Sequence, residues 1–163
     1  MTTGLYIALL GAVLAFAIPS IGSAIGITKA GQAATGLLSE QTGKGNVITW
    51  VVFPSSQGLY GFIAAFLVLS KLNLIGGTPV LLTEAEGFAV LFSCIPVMVA
   101  CFVTPMLQGY LAASAIAMYG KKRETFGTGM MMIALSELFA IFALVVTILL
   151  VMVGLDFTGV MPA

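Results

Sequence analysis

Apolar residues run with little interruption through four stretches of the chain, about Gly4–Leu38, Val47–Ile75, Ala85–Tyr119 and Phe126–Leu155. Polar residues gather in the short breaks between them: Ser39 to Asn46, Gly76 to Glu86, and Lys121-Lys122-Arg123-Glu124. Each stretch exceeds the ~20 residues that cross a bilayer. Lipid offers the backbone no hydrogen-bond partner, so the pattern predicts four transmembrane helices, an all-α integral membrane fold. Thr83 with Glu86 three positions on matches a capping box and starts helix 3 near Glu84. Pro19, Pro96 and Pro105 are expected to bend helices 1 and 3.

The pattern also repeats. Pro19 aligns with Pro105, each followed by small residues, and Ser56-Gln57 aligns with Ser136-Glu137, after which Phe62 falls on Phe142. The chain therefore reads as a duplicated helical hairpin, residues 1–78 and 79–163, in one membrane domain. Small residues crowd helix 1 (Gly11, Gly22, Ser23, Ala24, Gly26, Ala30) and helix 3 (Gly109, Ala112, Ala113, Ser114, Ala115). Because small residues let helix backbones approach closely in lipid, helices 1 and 3 are expected to form an inner layer, with the bulkier helices 2 and 4 outside.

Composition narrows the function. Of 163 residues, 60% are hydrophobic and 7% charged, against about a quarter charged in a soluble domain. Six basic and six acidic residues cancel, leaving no basic field for nucleic acid, and with no His the commonest metal ligand and general base is missing. Lys44, Lys121, Lys122 and Arg123 fall in the first and third breaks, with only Lys71 at the other end of the hairpins. The positive-inside rule then puts both hairpin turns in the cytoplasm and both termini outside. Residues 1–24 lack the basic start of a signal peptide and read as part of a retained first span. Cys94 and Cys101, seven positions apart in one helix, lie ~10 Å apart along its axis, beyond disulfide reach.

Glu137 is the most telling residue, a carboxylate well inside helix 4. A charge at the bilayer centre costs from about 2.5 to more than 10 kcal/mol, so it needs a partner, a bound cation or a proton. Glu137 lies 12 positions after Thr125, Gln108 12 before Gly120, and Gln57 12 after Gly45. At ~1.5 Å per residue all three sit ~18 Å from the predicted cytoplasmic turns. Phe53, Ser56, Gln57 and Tyr60 share one face of helix 2. Pro54 cannot donate to the Trp50 carbonyl and disturbs that turn, which frees carbonyls there, Phe53's among them. One carboxylate with hydroxyl, amide and carbonyl oxygens is a shell for a hard cation, and a single negative charge suits a monovalent one.

Phe53-Pro54-Ser55-Ser56-Gln57-Gly58-Leu59-Tyr60-Gly61-Phe62, with Gln108-Gly109 and Glu137, resembles the sodium-type rotor-ring proteolipid, called K or c, of bacterial V/A-type rotary ATPases. The resemblance covers essentially the whole chain. It implies Na⁺ held by Glu137, Gln57, Gln108, the Ser56 hydroxyl and the Phe53 carbonyl, with Tyr60 hydrogen-bonding Glu137. Related rings often show Leu-Pro-Gly-Thr-Gln; here Phe53, Ser55 and Ser56 stand in the first, third and fourth places, so the hydroxyl is kept and a methyl lost. The implied partners are identical copies in a ring, a stator subunit of the a/I type with an essential Arg, central-stalk subunits at the cytoplasmic turns, and lipid of a bacterial plasma membrane. Lys44, Lys121, Lys122 and Arg123 would face the stalk or serve topology alone. ATP hydrolysis would belong to other subunits, since this chain has no Gly-x-x-x-x-Gly-Lys-[Ser/Thr] sequence. Two alternatives stay open. The same ring could carry H⁺, for which Gln57, Gln108 and Ser56 would be surplus. A self-contained small transporter or pore could use Glu137 as its coupling carboxylate.

Overall fold

A computed structural model describes residues 2–40 and 45–157. Lys44 therefore lies outside the described residues. Four helices are long and apolar enough to cross a membrane: α1 (Thr3–Glu40), α2 (Gly45–Lys71), α3 (Glu84–Lys121) and α4 (Arg123–Gly154). Among the described residues there is no strand. At 38 residues α1 is about 57 Å long, well beyond the ~30 Å hydrocarbon layer.

The helix ends follow local chemistry. The third apolar stretch begins where the capping box placed it. Thr83 Oγ1 accepts from the Glu86 N–H at 3.3 Å, and Glu86 Oε2 accepts from the Thr83 N–H at 2.8 Å. The second stretch stops at Lys71, four residues short of Ile75. Asn73 adopts φ 53° there and ties the turn with its Nδ2, which donates to the Thr78 carbonyl at 3.0 Å; Gly77 supplies the second left-handed residue, φ 84°.

The prolines act unequally. Pro19 and Pro105 lie inside unbroken helix, whereas α3 is interrupted at Cys94, just before Pro96. Val97, one residue beyond that proline, donates its N–H to Thr147 Oγ1 on α4 at 3.2 Å. In α2 the ladder breaks at Pro54 into a single 3₁₀ turn, Phe53–Ser55, and the α-helix restarts at Ser56. Cys94 and Cys101 are free and buried.

The helices pack in two layers. α1 and α3 run side by side, backbone against backbone. A Cβ on Gly22, Gly26 or Gly109 would strike the carbonyl oxygen of Phe102, Pro105 or Gly26, so only glycine fits this seam. α2 packs on α1, where Gly61 abuts the Ala15 carbonyl, and α4 packs on α3. In the most apolar window of each helix, 39% of α1 and α3 is buried but only 22% of α4. The outer helices turn large apolar side chains outward, Leu59, Phe62, Phe139 and Phe142 among them. This is the face a lipid-exposed layer requires.

At the end of the bundle near Gly45 and Lys121, Trp50 stacks on Phe126 with ring centroids 4.9 Å apart and meets the edge of Tyr119 at 5.7 Å. That cluster locks α2, α3 and α4 together; Gly129 passes close enough to Trp50 that a Cβ there would lie 3.0 Å from the indole.

Candidate cation site

Polar groups in an apolar helix must find partners nearby, and most hydroxyls here return to their own backbone. Ser20 donates to the Phe16 carbonyl, Thr28 to Ala24 and Thr104 to Ala100. Buried side chains too long or too strongly polar for that must pair across helices. They converge at one level between α2, α3 and α4.

Gln57 and Gln108 are both wholly buried. Gln57 Nε2 donates to Gln108 Oε1 at 3.0 Å, and Gln108 Nε2 donates to the Ile133 carbonyl of α4 at 3.0 Å. Ser56 Oγ lies 2.8 Å from the Phe53 carbonyl and 3.3 Å from Gln57 Oε1. The chain Ser56–Gln57–Gln108–Ile133 thus stitches three helices. Beside it, half-buried Tyr60 donates its hydroxyl to Glu137 Oε1 at 2.5 Å, a side-chain bond from α2 to α4. Glu137, Phe53 and Ser56 all line one open groove of about 420 Å³ on the outer side of the bundle, with Thr49, Ser55 and Leu59.

The six residues singled out from the sequence therefore occupy one region, in two hydrogen-bonded sets. Tyr60 pairs with Glu137, and Ser56 and Gln57 connect to Gln108. No hydrogen bond joins Glu137 to Gln57, Gln108 or Ser56; the Gln57 amide goes to Gln108 instead. The Phe53 carbonyl is not free either, since it accepts both the Ser56 N–H and the Ser56 hydroxyl. The disturbed turn at Pro54 therefore does not leave the Phe53 carbonyl open, because the 3₁₀ turn and the Ser56 hydroxyl both use it. Hydroxyl rotation, however, releases it at little cost.

Sequence reasoning passed over one participant, the Ile133 carbonyl. It accepts from Gln108 and from Ser136 Oγ, the latter at 2.7 Å. The signal was present: aligning Ser56 with Ser136 puts Phe53 on Ile133, so the carbonyls of the two halves face the same centre. Lys29, also unassigned from the sequence, reaches from α1 to α3, its Nζ 5.1 Å from the Tyr110 ring centre.

Chemically, the centre offers one carboxylate, two amide oxygens, a hydroxyl and backbone carbonyls. Among the described residues no three His, Cys, Asp or Glu side chains cluster. The donor set is hard oxygen with a single charge, which fits a monovalent cation better than a divalent one.

The model of the ATP synthase C-subunit family matches residues 10–68 and 91–150, one stretch in each half. The chain is 33% identical over 150 residues to V-type sodium ATPase subunit K of Enterococcus hirae, covering 91% of this chain and 92% of that one. It is also 30% identical over 152 residues to A-type ATP synthase subunit K of Methanocaldococcus jannaschii, covering 92% of this chain and 64% of the other.

Proposed function

The chain belongs to the ATP synthase C-subunit family, and we propose that it is a membrane rotor-ring subunit that carries Na⁺ during ATP-driven rotation. The observation that carries the reading is Glu137, a carboxylate inside an apolar helix, held by Tyr60 beside a buried shell of neutral oxygens. The sodium ATPase named among the relatives supports the choice of ion.

Copies assemble side by side with α1 and α3 inward, each hairpin (1–78 and 79–163) giving one inner and one outer helix. Na⁺ is the cargo. Glu137 supplies its charge, while Gln57, Gln108, Ser56 Oγ and the Phe53 carbonyl supply neutral oxygens. Entry requires the Ser56 hydroxyl to turn its proton away from Phe53, which frees a lone pair on each oxygen. Gln108 Oε1 keeps a second lone pair after accepting from Gln57. With the ion bound the site is neutral, and Tyr60 holds Glu137 in place, so the outer face can pass through lipid without the cost of a bare charge.

Release needs a competing positive charge and water. At a stator subunit of the a/I type, water gains access to the site and the essential Arg supplies the charge, drawing Glu137 toward the open groove. ATP hydrolysis takes place in partner subunits whose stalk rests on the cytoplasmic turns, near Lys121, Lys122 and Arg123. Both termini face outward, and the ring lies in a bacterial plasma membrane.

Carbodiimide labelling of Glu137 in the purified ring tests the ion. Na⁺ at near-neutral pH is expected to slow the attack, because an occupied carboxylate is neither protonated nor exposed. Labelling that ignores Na⁺ and responds only to pH would make the cargo H⁺.

A further inference from the structure

The restart of α2 leaves backbone donors behind it. An α-helix has no internal partner for its first four N–H groups, and the segment that restarts at Ser56 has no side-chain cap from its own N-cap residue, Ser55. Ser55 Oγ is turned away to the Val52 carbonyl at 2.6 Å. The Ser56 N–H goes to Phe53 through the 3₁₀ turn. The Gly58 N–H crosses to another helix and donates to Ser23 Oγ of α1 at 2.9 Å. Ser23 is 5% exposed, and unlike Ser20, Thr28, Thr104 and Ser114, its hydroxyl receives a bond from a neighbouring helix.

We propose that Ser23 is a positioning residue of the cation site, capping α2 from α1 and thereby holding Gln57 in register with Gln108. Gly58 adjoins Gln57 in the chain, and Tyr60 follows two residues on, so the capped turn carries the side chains that face Gln108 and Glu137. Gly58 permits the contact; a Cβ there would lie 3.3 Å from Ser23 Oγ. The outer helix of the second hairpin needs no such device. The α-helix of α4 runs unbroken from Phe126 through Glu137, and the position matching Ser23 by the Pro19–Pro105 alignment is Gly109. Of the two outer helices, the broken one has the external cap and the unbroken one lacks it; the broken inner helix α3 shows the same device, its Val97 N–H donating to Thr147 Oγ1 of α4.

This inference rests on the reading of Glu137 and its neighbours as a cation site. The test compares purified rings with Ser23→Ala and with Ser20→Ala, a matched loss of one hydroxyl whose bond stays within α1. Ser23→Ala is expected to raise the Na⁺ concentration that half-protects Glu137 from carbodiimide roughly fivefold to tenfold. Ser20→Ala is expected to leave it unchanged, with both rings equally resistant to heat. Equal Na⁺ protection in Ser23→Ala and wild-type rings overturns the proposal, as does an equal loss in both variants. Should Ser23→Ala fail to assemble, Gly58→Ala carries the test: it crowds the cap while keeping the hydroxyl, and is expected to move protection in the same direction. A wild-type ring indifferent to Na⁺ overturns the sodium reading instead. The positioning role is then judged on the labelling rate of Glu137 in Ser23→Ala, which rises severalfold if the role is real and stays put if it is not.

Discussion

The two hairpins place nearly the same atoms around one centre and use them differently. Ser56 Oγ meets the Phe53 carbonyl at 2.8 Å, and Ser136 Oγ meets the Ile133 carbonyl at 2.7 Å, the same hydroxyl-to-carbonyl bond three residues back. One position later the halves diverge. The first carries Gln57, wholly buried and bonded to another amide; the second carries Glu137, half-buried and bonded to a phenol. Three positions before the amide stands Pro54, which breaks α2, while its counterpart Ala134 leaves α4 continuous. Duplication followed by such divergence gives one charge and one neutral oxygen shell per chain. Two carboxylates facing each other would demand a second cation or a proton to offset their repulsion.

Removing the Glu137 carboxylate is expected to have the largest effect. Glu137→Gln makes the halves alike, and Na⁺ uptake by vesicles bearing the assembled ATPase is expected to fall by about a hundredfold or more. Transposing the pair, Gln57→Glu with Glu137→Gln, is expected to stay inactive. The buried position 57 would lose the amide that binds Gln108, and Tyr60 would have no carboxylate across the interface. Uptake restored by the transposition would mean the halves are interchangeable.

Next in size is the seam the halves share. Gly26→Leu drives a side chain into the Pro105 carbonyl, so no ring should be recovered by mass measurement of the detergent-extracted complex. Gly36→Leu, where a Cβ meets nothing within 4 Å, should give rings of wild-type mass.

Much of this arrangement was legible in the sequence. The four spans, the capping box at Thr83 and the shared level of Gln57, Gln108 and Glu137 follow from hydropathy and helical spacing, which are properties of single helices. What was not legible depends on contacts between helices. The pairing of the Gln57 amide with Gln108 rather than Glu137, the Ile133 carbonyl as acceptor and the cap that Ser23 gives Gly58 are side-chain or backbone choices made only after packing. Pro54 advertised a disturbed turn, but whether its neighbours' carbonyls stay free or are consumed depends on the hydroxyl of Ser56. Lys71, too, reaches the Met152 carbonyl at 3.3 Å, where α4 ends in a π-turn that no periodicity announces.

Smaller changes sharpen the contrast further. Tyr60→Phe keeps the ring and deletes the bond to Glu137; loss of a hydrogen bond to a charged group, about 1.5–3 kcal/mol, corresponds to roughly ten- to a hundredfold weaker Na⁺ binding. The smallest effects should separate the twin serines. Ser56→Ala removes an oxygen from the proposed cation shell and is expected to weaken Na⁺ binding about fivefold. Ser136→Ala should change it by less than about twofold, because the Ile133 carbonyl keeps its bond from Gln108. Equal effects of the two, read by Na⁺ titration, would remove the functional difference between the halves.

Equilibrium binding of radioactive Na⁺ to the purified ring is the most direct measurement. Saturation at one ion per chain is expected in the wild type, with none above background in Glu137→Gln. Stoichiometric binding that survives Glu137→Gln would contradict the cation role of Glu137.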